Sequence, residues 1–191
     1  MESRRLDYYA VVVDLPSLPE EPIAAFRRAH DPTVDLIQPH LTLVFPVPAS
    51  IGRDAFSDHV RGVVSETPRF DIRLRGLETS WDHWLFLLVT EGREEVVALH
   101  DALYTGILRP YLRTDLPYVP HVGLGRFVQG SDARGLLDLR PRSLDAARFE
   151  EALHEAEAMN LDHRCRVGAV HVSGLDEELT HVTPLEEIPL G

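Results

Sequence analysis

Two segments of this chain, "IQPHLTLVFPV" and "YVPHVGLGRFV", each place a Pro-His pair at the head of an apolar run. Proline lacks an N–H to donate and sits poorly inside a β-ladder, so each pair marks the point where a strand begins. The order of elements around the two pairs is the same. Strand, helix and Pro-His strand occupy roughly 8–45 and recur over roughly 84–127, and a helix and a further strand follow each time. Outside "PHLTL" and "PHVGL" the two passes share few residues, so the repeat is one of order. A chain patterned this way predicts an α+β, duplicated two-lobed fold, in which each lobe is a mainly antiparallel sheet with outer helices. A central cleft lies between the lobes, and residues 1–191 form one domain of two pseudo-symmetric lobes. The repeat makes the two Pro-His strands structural equivalents that face each other across that cleft.

The remaining elements follow from pattern and breaker residues. "YYAVVVD" is aromatic and β-branched, the signature of a buried strand. "LPSLP" breaks it, and "EEPIAAFRRAH" then reads as a short amphipathic helix with acidic residues at its start. "RDAFSDHVRGVVSE" carries Phe56, Val60 and Val63 at helical spacing. "RFDIRLRGL" alternates as a half-exposed strand does, and the turn "ETSWDH" leads into a buried strand, "WLFLLVT". "REEVVALHDALYTGIL" is expected to be one helix, with "RPYLRTDLPYVP" as the loop after it. A Gly-rich connection follows "HVGLGRF", then a long helix, "SLDAARFEEALHEAEAM", with Ser143 as its cap. The strands "RVGAVHVSGL" and "THVTPLEEIPL" end the chain.

Strand side chains alternate, so residues two apart share a face. In the first motif alternation groups His40, Thr42 and Val44 toward the cleft, and Leu41, Leu43 and Phe45 toward the helices. In the second it groups His121, Gly123, Gly125 and Phe127, with Val122 and Leu124 on the other face; by the same rule Arg126 points away from the cleft.

Charge and cysteine content narrow the function. A net charge of −12 repels a long polyanion, so any nucleic-acid substrate is small or is gripped at an end. The single cysteine, Cys165, rules out an intramolecular disulfide and fits a reducing compartment. The N-terminal apolar run is too short for a membrane span and lacks a signal-peptide cleavage pattern, so a cytoplasmic protein with no membrane partner is expected. The eight other histidines show no H-E-x-x-H pattern and no clustered Cys/His spacing, so no metal site and no cofactor are expected. "GLGRFVQG" opens no helix and is not a dinucleotide loop. Trp81 and Trp84 flank a turn and read as the packed end of a hairpin. Tyr118, just ahead of His121, is placed either to stack on a nucleobase or to fill the core.

Taken together, "YYAVVVDLP", "DPTVDLIQPHLTLVFPV" and "PYVPHVGLGRF" resemble the two-histidine (2H) phosphoesterase superfamily, which includes the so-called 2′-5′ RNA ligases and the cyclic nucleotide phosphodiesterases. The resemblance runs from Tyr8 to the C-terminus. The family hallmark is a pair of H-x-T/S motifs, one per lobe. This chain keeps both histidines but has Gly123 where the second hydroxyl is expected.

In-line displacement at phosphorus needs a base on the attacking oxygen and an acid on the leaving oxygen, and histidine can serve as either near neutral pH. The resemblance implies that His40 and His121 are the acid and base, in an order the sequence leaves open, and that Thr42 binds phosphate. It places Gly123, Tyr118 and Arg126 at the substrate. The implied activity is metal-independent hydrolysis of a 2′,3′-cyclic phosphate nucleotide or a 2′-5′-linked oligonucleotide by a monomer, in RNA processing. A nucleotide- or phosphate-binding module with a degenerate second motif is the alternative.

Overall fold

A computed structural model describes residues 5–15, 18, 20–129 and 142–191. The Gly-rich connection expected after the second motif falls largely outside the described residues, as does part of the "LPSLP" break. The strands are β1 (Tyr8–Asp14), β2 (His40–Pro48), β3 (Phe70–Thr79), β4 (Trp84–Glu91), β5 (His121–Arg126), β6 (Asp162–Val167), β7 (Ala169–Leu175) and β8 (Val182–Pro189). The helices are α1 (Glu20–His30), α2 (Arg53–Val64), α3 (Arg93–Leu103) and α4 (Ala146–Ala158). Among the described residues no helix is long and apolar enough to cross a membrane.

All eight strands join one sheet in the order β6-β3-β4-β5-β2-β1-β7-β8, with every neighbouring pair antiparallel. The order is symmetric about the β2–β5 seam. One lobe holds β1, β2, β7 and β8, and the other holds β3, β4, β5 and β6. The lobes meet through one register pair, Leu41 opposite Val122. The outer strands are exchanged, since β3 follows the first motif in sequence but pairs with β4 of the second lobe. The order of the repeat therefore survives in space while the lobe boundary does not follow the chain's midpoint.

Leu41, Leu43, Val122 and Leu124 form one face of the seam, and all are buried. They belong to a single apolar cluster with Phe26 of α1, Phe56 and Val60 of α2, Leu99 and Leu103 of α3, and Ala152 and Ala156 of α4. Burying those side chains removes the apolar stripe of each helix from water, at roughly 1.5–3 kcal/mol per large side chain. The described helix residues of this cluster pack on that face of the seam.

Three expectations change. The helix expected over 93–108 ends at Leu103, where Tyr104 leaves helical geometry, and the chain resumes as a 3₁₀ turn over Gly106–Tyr111. Thr105 is extended, and Gly106 opens the 3₁₀ turn with φ 48°, a left-handed value that suits glycine. The cap of α4 is Asp145, whose carboxylate accepts from the Arg148 N–H at 3.3 Å, in place of Ser143. The strand expected at "RVGAVHVSGL" begins earlier and divides at Gly168: β6 pairs with β3 and β7 pairs with β1, so the segment serves both lobes in turn.

Candidate active site

The antiparallel register that sets Leu41 opposite Val122 also sets His40 opposite Gly123 and Thr42 opposite His121. All four lie on the face away from the helices. The two histidines are diagonal neighbours, about 7–8 Å apart at the backbone by the geometry of such a ladder, which is within reach of both rings.

The Pro-His pairs orient the rings. His40 Nδ1 lies 2.8 Å from the Gln38 carbonyl oxygen, and His121 Nδ1 lies 2.6 Å from the Val119 carbonyl oxygen. In each case the carbonyl belongs to the residue just before the proline, whose fixed φ holds it against the ring. A carbonyl can only accept, so Nδ1 carries the proton and Nε2 is left to take or give one. The same device, built twice, answers why proline precedes both histidines.

Burial pushes both imidazoles below their ordinary value. His40 is lowered, chiefly by desolvation and further by the Arg27 charge, against the opposing effects of the Gln38 hydrogen bond and of the Asp14 and Asp31 carboxylates. His121 is pushed down to about 4, again mainly by desolvation, and the neighbouring His40 lowers it further. Asp14 lies directly across β1 from His40. The position across β4 from His121 is Leu88, so the carboxylate breaks the symmetry of the pair.

Simple alternation fails just past each motif, at equivalent places. Val12 pairs with Thr42 but Val11 pairs with Val44, so Leu43 is an extra residue in β2. Leu43 and Val44 are consequently both buried, and Phe45 is turned out of the core and is 47% exposed. This corrects the expected faces of Val44 and Phe45: Val44 joins the core, and Phe45 shares the cleft face with Thr42. In β5 the shift falls between Leu85 and Phe86, which pair with Gly125 and Gly123, so Leu124 is the extra residue. The bulge brings Arg126 opposite Trp84 and onto the cleft face, correcting its expected direction. Phe45 and Arg126 stand five residues after His40 and His121, so the second bulge repeats the first.

Arg126 is only 2% exposed; its guanidinium lies 5.9 Å from the Trp84 ring centroid and its Nε 3.4 Å from the Asp82 carbonyl. Tyr118 stacks on His100 with centroids 3.7 Å apart, and its hydroxyl donates to the Thr42 carbonyl at 2.8 Å, bracing the strand that carries Thr42. Phe86, which the sequence reading did not single out, stacks on the His121 ring at 3.5 Å. Alternation along "WLFLLVT" could have placed it beside Trp84, on the same face. Phe45 and Asp14 were also missed; the position of Phe45 depends on a bulge and that of Asp14 on strand pairing.

Gly123 has the Trp84 indole for a neighbour. A Cβ built there would lie 3.6 Å from Trp84 Cε3 and Cζ3, an ordinary van der Waals contact. A Cβ therefore enters without moving the backbone, and Gly123→Thr adds a hydroxyl on the strand position opposite His40. It is expected to raise turnover of a small cyclic phosphate by up to about 10- to 100-fold, the worth of one hydrogen bond to a charged oxygen. Steady-state kinetics on the folded variant check this.

A two-lobed antiparallel sheet with one such histidine from each lobe defines a two-histidine phosphoesterase scaffold. A family model described as the 2'-5' RNA ligase superfamily matches residues 15–177, and the chain belongs to that superfamily. A Bacillus licheniformis protein named "Putative phosphoesterase" is 29% identical over 147 residues, covering 71% of this chain and 82% of the relative. A Geobacillus kaustophilus protein of the same name is 24% identical over 126 residues, or 65% of this chain and 72% of the relative. Among solved structures, apo LigT from E. coli superposes with TM-score 0.61 at 20% identity, covering 98% of this chain and 99% of LigT. The LigT complex with 3'-AMP also gives 0.61, at 19% identity, covering 97% of this chain and 99% of LigT. These likenesses show a shared fold.

Proposed function

We propose that this protein hydrolyses small 2′,3′-cyclic phosphate nucleotides or short 2′-5′-linked oligonucleotides without a metal, with His40 and His121 as its acid and base. The observation that supports this most is the matched pair of imidazoles, each held with Nδ1 on a carbonyl and Nε2 free, on adjacent antiparallel strands. A phosphate between them has a nitrogen on each side, as an in-line displacement requires. LigT, with the same fold, has been crystallised with 3'-AMP and with phosphate.

The strand register favours one order of roles. Burial lowers both rings and charges act on both: Arg27 opposes a proton on His40 while Asp14 and Asp31 favour it, and His40 opposes a proton on His121 while Asp82 favours it. The order follows from the register that sets Asp14 opposite His40 alone. His121 accepts a proton from the attacking water as its oxygen bonds to phosphorus. The bond from phosphorus to the leaving ribose oxygen breaks, and His40 passes its proton to that oxygen. The Thr42 hydroxyl donates to a non-bridging oxygen, where charge builds up. Arg126, engaged with Asp82 and Trp84, acts through the position of Trp84 over Gly123 and Tyr118 through the position of Thr42.

The test is hydrolysis of a 2′,3′-cyclic nucleotide in the presence of a strong chelator. Undiminished turnover supports the reading; loss of turnover that a divalent ion restores would reject it. The pH profile is a second check. Catalysis needs His121 neutral and His40 protonated, so kcat/KM rises as pH passes about 4, where His121 loses its proton. It falls again as His40 deprotonates, below the ordinary histidine value near 6.5. The two limbs belong to the pair as a unit. A bound phosphate anion favours both imidazolium forms, so the profile of kcat is expected to lie at higher pH than that of kcat/KM.

A further inference from the structure

On the lobe that carries His40, a cavity of about 470 Å³ lies between the cleft face of β1 and β7, the strand β8, and the segment 36–38 that leads into His40. Its volume is within the range of small-molecule sites and far more than a phosphate needs. Val12, Ile37 and Leu185 make part of its wall apolar. Its polar wall includes the row Asp14, His171 and Glu187, with Gln38, Ser173 and Glu186 also at the lining. His171 pairs in register with Val12 on one side and with Glu187 on the other. Its Nδ1 lies 3.4 Å from an Asp14 carboxylate oxygen and its Nε2 3.7 Å from a Glu187 carboxylate oxygen. His171 Nδ1 is shielded from solvent and makes no hydrogen bond. Asp14 is also the residue opposite His40, so the cavity and the histidine pair share a carboxylate.

We propose that this cavity is the subsite for the organic group of the substrate, taking a neutral or cationic group that bears hydrogen-bond donors, such as a nucleoside, and rejecting a second phosphoryl group. Ionised carboxylates only accept hydrogen bonds, so hydroxyls and amino groups satisfy Asp14 and Glu187. Another phosphate would meet two negative charges at short range. The apolar wall suits the faces of a base or sugar. The inference rests on the phosphoesterase reading of the neighbouring histidines and extends it to substrate class.

Two measurements test it. Histidine ring signals are followed by NMR while inorganic phosphate and, separately, adenosine are added to the wild-type chain. Phosphate is expected to move His40 and His121, and adenosine to move His171. A response to phosphate with His171 unmoved by adenosine overturns the subsite and leaves the histidine pair intact. If phosphate moves neither His40 nor His121, the phosphoesterase reading fails, while the adenosine response still decides whether the cavity binds. In the second measurement kcat/KM is compared for a 2′,3′-cyclic nucleotide and the same compound carrying a 5′-phosphate. The wild-type chain is expected to prefer the former, and Glu187→Lys to shrink that preference roughly tenfold by reversing one wall charge. A preference unchanged in Glu187→Lys would overturn the proposed selection.

Discussion

His40→Ala and His121→Ala are each expected to lower turnover of a 2′,3′-cyclic nucleotide by about 10²- to 10⁴-fold, the range for loss of a general acid or base. The double variant should be little worse than either single one, because the two imidazoles act in one step on one phosphate and their losses do not add. His154→Ala is the control, since its side chain is exposed on α4. Steady-state rates with far-UV circular dichroism on each variant separate chemistry from folding. Full activity in either single variant would leave the shared site untenable. Burial lowers both rings, and the Nδ1 of each is held by a backbone carbonyl, so alanine removes one hydrogen bond at each position. The folded state should tolerate the loss.

Gly125→Ala is expected to have the largest effect on stability among single-methyl additions near the site. A Cβ there would lie 2.7 Å from His30 Cβ, 3.1 Å from the His30 carbonyl oxygen and 3.2 Å from its carbon. His30 ends α1 and its ring packs against Phe26 and Phe127, with centroids at 4.6 and 5.5 Å, so neither side can yield cheaply. Overpacking of this kind costs about 1–3 kcal/mol, or roughly 3–10 °C in Tm for a chain of this size. Activity should fall with it, because the same glycine sits in the bulge that aims Arg126 at Trp84. Gly123→Ala, two residues away with its nearest contact at 3.6 Å, is the matched comparison and should leave Tm within about 1 °C. Thermal melts of the two variants decide the point. Equal melting temperatures would show that α1 moves freely over β5.

Local pattern reached far in this chain. The β-branched runs, the Gly/Pro breaks and the helical spacing of Phe56 and Val60 mark most elements, because each depends on neighbours a few positions away. The end of α3 departs from the pattern for the same reason: "LYTGIL" stays apolar past Leu103, while the backbone leaves helical geometry at Tyr104 and Thr105. Likewise "RVGAVHVSGL" reads as one strand, and its division at Gly168 follows from which lobe each half joins.

The sequence alone determined that two Pro-His strands would recur in one order, with histidine and apolar residues alternating at their heads. It thereby identified His40, Thr42 and His121 as candidates. Only the tertiary structure decided what surrounds them. The seam pair Leu41–Val122 sets His40 across from Gly123, and strand pairing brings Asp14 to His40 alone. Two bulges turn Phe45 and Arg126 onto the cleft face, and the β3–β4 hairpin lays Trp84 over Gly123. Each of these depends on long-range register, and a shift of one residue reverses the face of every side chain beyond it. That information lies in the packing of both partner strands against the helices, so neither strand's own pattern contains it.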